Sequence, residues 1–174
     1  MRTAITALVV TVVATVSGCT SMQPAAVRAA ATIEPRSASQ VSGSVTFSEH
    51  GGTVNGHVEL AGLAPNSMHG FHVHEKGDCS APDAASAGGH FNPGGTMHGS
   101  VTAAVHHAGD LPSLSADRSG HVRTDFVLTG VTLSPGPTSI LGRSVIVHAN
   151  PDDYTSQPAG NSGPKVACGV IAAK

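Results

Sequence analysis

From Val41 to Phe47 every second residue is apolar or glycine (Val41, Gly43, Val45, Phe47), and Ser42, Ser44, Thr46 and Ser48 between and beyond them all carry hydroxyls. Side chains on a strand point alternately to its two faces, so a strict period of two demands a sheet with one buried and one wet face, and it does not suit a helix. Val54, Gly56, Val58 and Leu60 repeat the pattern, with His50-Gly51-Gly52 as the turn between the two runs. Six further segments read as strands, 27–33, 68–75, 111–116, 121–128, 143–149 and 165–172, making eight in all. The 21 Gly, 11 Pro and only 11% charged residues favour short strands joined by turns over long helices. Lys76–Gly109, rich in Gly, Ala and His, and Asn150–Pro164, rich in Pro, Asp and Ser, are not strand-like. Loops that long in a compact domain are usually functional. The expectation is a single all-β domain, an antiparallel sandwich or barrel whose two long loops carry or frame the site.

The first residues read as an export address. Met1-Arg2 supplies a positive end, Ala4–Val16 is apolar over signal-peptide rather than membrane-spanning length, and small residues lead into Cys19. Val16-Ser17-Gly18-Cys19 resembles a bacterial lipobox, in which the cysteine becomes the lipidated first residue; an ordinary signal peptide is the alternative, and either one exports the protein. The expected organisation is a signal peptide at 1–18, a lipid-anchored tether at 19–26 and a folded domain at 27–174, on the extracytoplasmic face of a membrane, in the periplasm or at the cell surface. There Cys79 and Cys168, separated by 89 positions, are expected to form a disulfide, the alternative being two buried thiols. Closing so long a loop stabilises by roughly 4 kcal/mol through denatured-chain entropy. A formal net charge of −2 and the lack of any basic run leave no electrostatic case for nucleic acid. Pairing of two copies as a homodimer is left open.

Histidine is the compositional anomaly: 11 copies, as many as Asp and Glu together, beside a single Tyr and no Trp. That bias points to metal. In Phe71-His72-Val73-His74 both imidazoles share one strand face while Phe71 and Val73 take the other, although His-x-His alone is a weak signal. His90, His98, His107 and Asp110 fall within 21 residues of a glycine-rich segment and offer three imidazoles and a carboxylate, a set that suits tetrahedral zinc. His148 ends the apolar run Val145-Ile146-Val147, where a strand would present it rigidly.

Taken in order, Gly70-Phe71-His72-Val73-His74-Glu75, Gly89-His90-Phe91-Asn92-Pro93, His107-Ala108-Gly109-Asp110-Leu111, Gly142-Arg143 with Val147-His148, and Ala167-Cys168-Gly169-Val170-Ile171 resemble the copper/zinc superoxide dismutases, from about Val27 to Ile171. The resemblance implies an eight-stranded antiparallel Greek-key barrel or sandwich, with 76–109 as its metal-binding loop and 150–164 as its electrostatic loop. It implies copper on His72, His74, His90 and His148, and zinc on His90, His98, His107 and Asp110, His90 being shared. Asp152 matches the carboxylate that joins a copper histidine to a zinc histidine, and Cys79 and Cys168 match the family disulfide. The implied activity is antioxidant, dismutation of superoxide to oxygen and hydrogen peroxide, protecting the cell exterior. His90 would take and return a proton, and zinc would act structurally and electrostatically.

The resemblance has two departures. Lys165, in Gly163-Pro164-Lys165-Val166-Ala167-Cys168, stands where the family normally has Arg, so the charge that attracts a small anion survives while the planar fork of donors does not. The loop 150–164 is shorter than in many members and carries no Lys or Arg, which leaves steering almost entirely to Lys165. His50, His57, His69, His106 and His121 match no ligand and are expected in turn, surface or packing roles. The His-x-x-Asp spacing selects His107 over His106. Asp78 and Asp83 read as solvated loop charges and Arg143 as a structural contact. A rival reading is a non-catalytic copper-binding lipoprotein; a copper-only enzyme would lack the zinc set, which is complete here.

Overall fold

The structure, a computed structural model, describes residues 26–174; the expected signal peptide, Cys19 and nearly all of the tether lie outside the described residues. The strands are β1 (Val27–Pro35), β2 (Ser42–His50), β3 (Thr53–Ala61), β4 (Met68–His69), β5 (Phe71–His74), β6 (Leu114–Ser115), β7 (Val122–Leu128), β8 (Ser144–His148), β9 (Lys165–Val170) and β10 (Ala172–Ala173), with one 3-10 turn at Ala85–Ala87. Antiparallel pairing in the order β5-β8-β9-β1-β2-β3-β7, with β10 against β1, builds one curled eight-stranded sheet, and β4 with β6 forms a short second one. The fold is the expected all-β barrel.

The period of two is realised directly. Val45 and Phe47 of β2 and Val54, Gly56, Val58 and Leu60 of β3 point inward and are buried, while their neighbours are partly or fully exposed. Phe126 of β7 sits at the centre, edge-on to Phe47 and Phe71 with ring centroids 6.1 and 5.6 Å away. Gly56 is what admits it, since a β-carbon there would overlap the Phe126 ring.

β5 and β8 break the half-wet rule, for all nine of their residues are buried. Phe71, Val73, Val145 and Val147 belong to the core. The opposite face, carrying His72, His74, Ile146 and His148, lies beneath the two long loops. Register pairs Phe71 with Val147 and His72 with Ile146.

Three expected strands are shortened or split. Segment 111–116 pairs only at Leu114–Ser115, because Pro112 has no N–H to give a ladder. Segment 68–75 divides at Gly70, whose amide bonds Asn150 O and whose carbonyl accepts the His148 amide, so the chain changes partner from β6 to β8. Segment 165–172 divides at Ile171, which exchanges bonds with Gly142 and Arg143 before β10 returns to β1. The Cys79–Cys168 disulfide forms and ties the first long loop to β9. Arg143 is structural as expected: its guanidinium lies 3.5 Å over the Phe91 ring and donates to the carbonyls of Ser139 and Glu75.

Candidate metal centre

Four imidazoles meet on the covered face of β5 and β8. His72 and His74 alternate with core residues on β5, His148 ends β8, and His90 comes from the first long loop, bridged antiparallel to His74. A register shift between Val147 and His148 sets His148 opposite Lys165, the kind of irregularity that re-aims a side chain.

Each ring commits one nitrogen and leaves the other without a partner. His72 Nε2 is 2.7 Å from Asp152 Oδ2, His74 Nδ1 donates to Gly88 O at 2.8 Å, and His148 Nδ1 donates to Gly163 O at 3.0 Å. His90 Nδ1 lies 2.9 Å from Asp110 Oδ1. The remaining atoms, His72 Nδ1, His74 Nε2, His90 Nε2 and His148 Nε2, are the buried side-chain nitrogens or oxygens that lack a partner among the described residues. An unpaired buried polar atom costs about 1–3 kcal/mol, so four that converge are explained by an ion that all of them can bind. The four residues each offer a ligand atom within 4.8 Å of the others.

His90, His98, His107 and Asp110 form a second such group. His98 Nδ1 and His90 Nδ1 approach Asp110 Oδ1 at 3.0 and 2.9 Å, and His107 Nδ1 comes within 3.3 Å of His90 Nδ1. Asp110 Oδ2 is taken by the Gly99 and His107 amides, which leaves Oδ1 to face the imidazoles. Three nitrogens and one oxygen that point inward match what zinc takes from such ligands. His90 thus belongs to both groups, with Nε2 in one and Nδ1 in the other. Asp152 joins them from outside: Oδ2 holds His72 Nε2, and Oδ1 accepts from His98 Nε2 at 2.9 Å.

Protonation states agree with this arrangement. Burial, aided by the positive field of His90, pushes His72 and His74 well below the ordinary imidazole value, and burial takes His148 down to about 4. These rings stay neutral and keep a lone pair for metal. Burial works to raise the Asp110 carboxyl, but hydrogen bonds from His90 and the Gly99 and His107 amides hold it far below the usual range.

The first group opens to solvent through a cavity of about 560 Å³ lined by His74, His90, His148, Met97, Gln157 and Lys165 among others. Lys165 is the one Lys or Arg in that lining, and no Asp or Glu shares it. Its Nζ donates to Gly88 O at 3.0 Å and Ala84 O at 3.4 Å. A depression of similar size, about 590 Å³, lies on the outer face of β1, β2, β3 and β7, but it holds none of the unpartnered nitrogens.

Of the histidines expected outside the site, His69 is buried and its Nδ1 donates to His148 O at 2.7 Å, steadying the strand end that carries a site ring. His106 Nδ1 donates to His107 O, and His107, not His106, faces Asp110. Sequence reasoning missed Gln157, whose side chain brackets His98 by accepting its amide at 2.9 Å and donating to its carbonyl at 3.0 Å. It missed the carbonyls of Gly88 and Gly163 as well, because a backbone acceptor leaves no mark on residue identity.

Comparison with known proteins agrees with this geometry. The family described as copper/zinc superoxide dismutase (SODC) matches residues 41–171. A superoxide dismutase [Cu-Zn] of Aquifex aeolicus is 46% identical over 114 residues, 63% of this chain and 67% of that protein. The superoxide dismutase [Cu-Zn] of Schizosaccharomyces pombe is 43% identical over 153 residues, 83% of this chain and 97% of its own length. Among solved structures, the clock protein EA4 superposes with a TM-score of 0.76 at 39% identity, covering 83% of this chain and 93% of that one. A family match across most of the domain, relatives of this similarity and two histidine-rich ligand groups sharing one ring lead to one assignment: the chain belongs to the copper/zinc superoxide dismutase family.

Proposed function

We propose that this enzyme dismutates superoxide with copper held by His72, His74, His90 and His148 and zinc held by His90, His98, His107 and Asp110, outside a bacterial cytoplasm and tethered to a membrane by lipid on Cys19. The observation that carries the copper assignment is the convergence of four buried, unpartnered imidazole nitrogens on one point. Bound there, copper would supply the one-electron couple that dismutation of superoxide needs, and zinc would act structurally and electrostatically through the residues that hold it.

The residues around the ions do the rest. Lys165, at the cavity wall, draws the anion inward. The Gly88 and Gly163 carbonyls fix the tautomers of His74 and His148, so that Nε2 of each is the free nitrogen. Asp152 does the same for His72 and His98. His90 holds a proton at Nε2 between half-reactions and gives it up as product forms, its Nδ1 and Asp110 Oδ1 both belonging to the proposed zinc set. The cover over β5 and β8 excludes bulk water, so proton delivery runs through the cavity.

Export rests on the first 18 residues and on the disulfide, which persists in oxidising compartments. The anchor fits the topology. Val27 pairs with Glu49 at one end of β1, and Pro35 pairs with Ala167, beside Lys165, at the other. Nine residues of strand span roughly 30 Å, so Val27, where a tether would join, lies at the end of β1 away from Pro35 and Lys165. The role that follows is protection of the cell exterior. The reading admits a homodimer, which sedimentation of the metal-loaded protein decides.

Metal analysis with a superoxide assay on the purified, reconstituted chain tests the site: copper and zinc bound together with turnover is expected, and tight copper without turnover would favour a copper buffer. Fractionation of cells that express Cys19→Ser tests the anchor, with loss from the membrane fraction expected.

A further inference from the structure

Met97 is 64% exposed, more than any other large apolar side chain among the described residues, and it lines the cavity that leads to the imidazoles of His74, His90 and His148. Its backbone is fixed on both sides. Asn92 brackets Thr96 through its side-chain oxygen and nitrogen, at 3.1 Å to the Thr96 amide and 2.8 Å to its carbonyl. Gln157 brackets His98 in the same way. The thioether is therefore held at the mouth by its neighbours while its own three rotatable bonds stay free. So exposed an apolar side chain contributes little to packing, which leaves its chemistry as the reason to look for a role.

An incoming copper ion meets an unfavourable approach here. Lys165 shares the cavity wall and repels cations, and no carboxylate lines the cavity to offset it. Capture therefore has to come from a neutral donor, and the soft thioether is the one in this lining that selects Cu(I) over harder ions. The floor of the same cavity carries the buried, unpartnered Nε2 atoms of His74, His90 and His148 as the destination.

We propose that Met97 is an entry ligand, taking Cu(I) at the mouth of the cavity and passing it to the imidazoles below. This rests on the reading that those imidazoles hold copper. Met97 does not belong to the final ligand set, so its effect falls on the rate and oxidation-state selectivity of loading, not on the copper bound at completion.

The test uses the full chain loaded with zinc and free of copper, mixed without oxygen with Cu(I) held by a chromophoric chelator, so that loss of absorbance follows transfer. Met97→Leu is expected to take up Cu(I) several-fold more slowly than the unaltered protein, to reach the same copper content, and to take up Cu(II) at an unchanged rate. Met68→Leu alters a methionine that is 43% exposed on β4 and outside the cavity lining, and should load at the original rate. Unchanged Cu(I) uptake by Met97→Leu overturns the proposal. Equal slowing of Cu(I) and Cu(II) also overturns it, by showing a steric gate in place of a ligand. Failure of the unaltered protein to take up copper would overturn the copper assignment first, and the entry role with it.

Discussion

Lys165 Nζ lies 3.0 Å from the carbonyl oxygen of Gly88, the same oxygen that accepts the His74 Nδ1 hydrogen at 2.8 Å. One backbone acceptor thus positions both the cation of the cavity wall and a ring of the proposed copper set. Burial draws the lysine below its ordinary pKa, and its charge in turn opposes protonation of His74 and His148. In the proposed reading the cation acts on the substrate and on the ligands at once.

Removing that charge should slow encounter with superoxide and remove most of its dependence on ionic strength, since no other Lys or Arg lines the cavity. Lys165→Gln is expected to lower the second-order rate constant several-fold at low salt and to flatten its salt profile. Lys165→Arg should keep both carbonyl contacts and leave donors directed into the cavity, raising the rate or steepening the profile. Pulse radiolysis across a salt series reads both variants, and an unchanged Arg variant would count against the argument.

Asp152 should matter to both metals through geometry alone. Its oxygens hold His72 at 2.7 Å and His98 at 2.9 Å, and Gly160 stands so close that a β-carbon there would come within 2.6 Å of His98 Nε2 and overlap the carboxylate. Asp152→Ala is expected to weaken zinc and copper by about 10–100-fold, the usual cost of losing such a partner. Gly160→Ala should reproduce the loss by displacing the carboxylate, aided by a positive φ of 65° that disfavours a side chain. Competition with chelators of known affinity measures both. Full metal affinity in Asp152→Ala would show that the rings are oriented by packing instead.

Much of this was legible in the residues, for identifiable reasons. Alternation in β2 and β3 and the His-x-His of β5 follow directly from strand geometry, which has one period and two faces. The sets with His90, His98, His107, Asp110 and His148 were found because imidazole and carboxylate are distinctive, and family motifs ordered them. Strand ends were not legible: the break at Gly70 depends on where Asn150 and His148 return, which is a long-range fact. The roles of Gly88, Gly163 and Gln157 were invisible for the same reason. Met97 passed unnoticed because a lone methionine carries no pattern.

His57 gives a small but signed pH effect. Hydrogen bonds to Asp125 at 2.5 Å and Glu59 at 3.2 Å, in that order of weight, raise its pKa above 6.5. A raised pKa in the folded state means the contribution is present below 6.5 and is lost as pH rises through the folded value. The pair is exposed, so solvent screening holds it under about 1 kcal/mol. His57→Gln should cost that little near pH 6 and nothing measurable near pH 9 in urea unfolding. An equal cost at both would assign the effect to neutral hydrogen bonding.

The disulfide should carry a large share of the stability of the metal-free domain. It closes a loop of 89 residues, and the restriction it places on the denatured chain is worth roughly 4 kcal/mol. It also packs with Ala84, Ala87 and Ile146 under the first long loop, and the Cys79 carbonyl takes the Arg36 Nε hydrogen at 2.8 Å. The same loop supplies Gly88, so loosening it should reach His74 and Lys165 as well as the global fold. A paired Cys79→Ser, Cys168→Ser variant is expected to unfold at markedly lower denaturant and to bind copper more weakly than zinc-only controls predict. If stability falls while copper affinity holds, the loop is kept in place by its packing on β8, and the disulfide serves the denatured state alone.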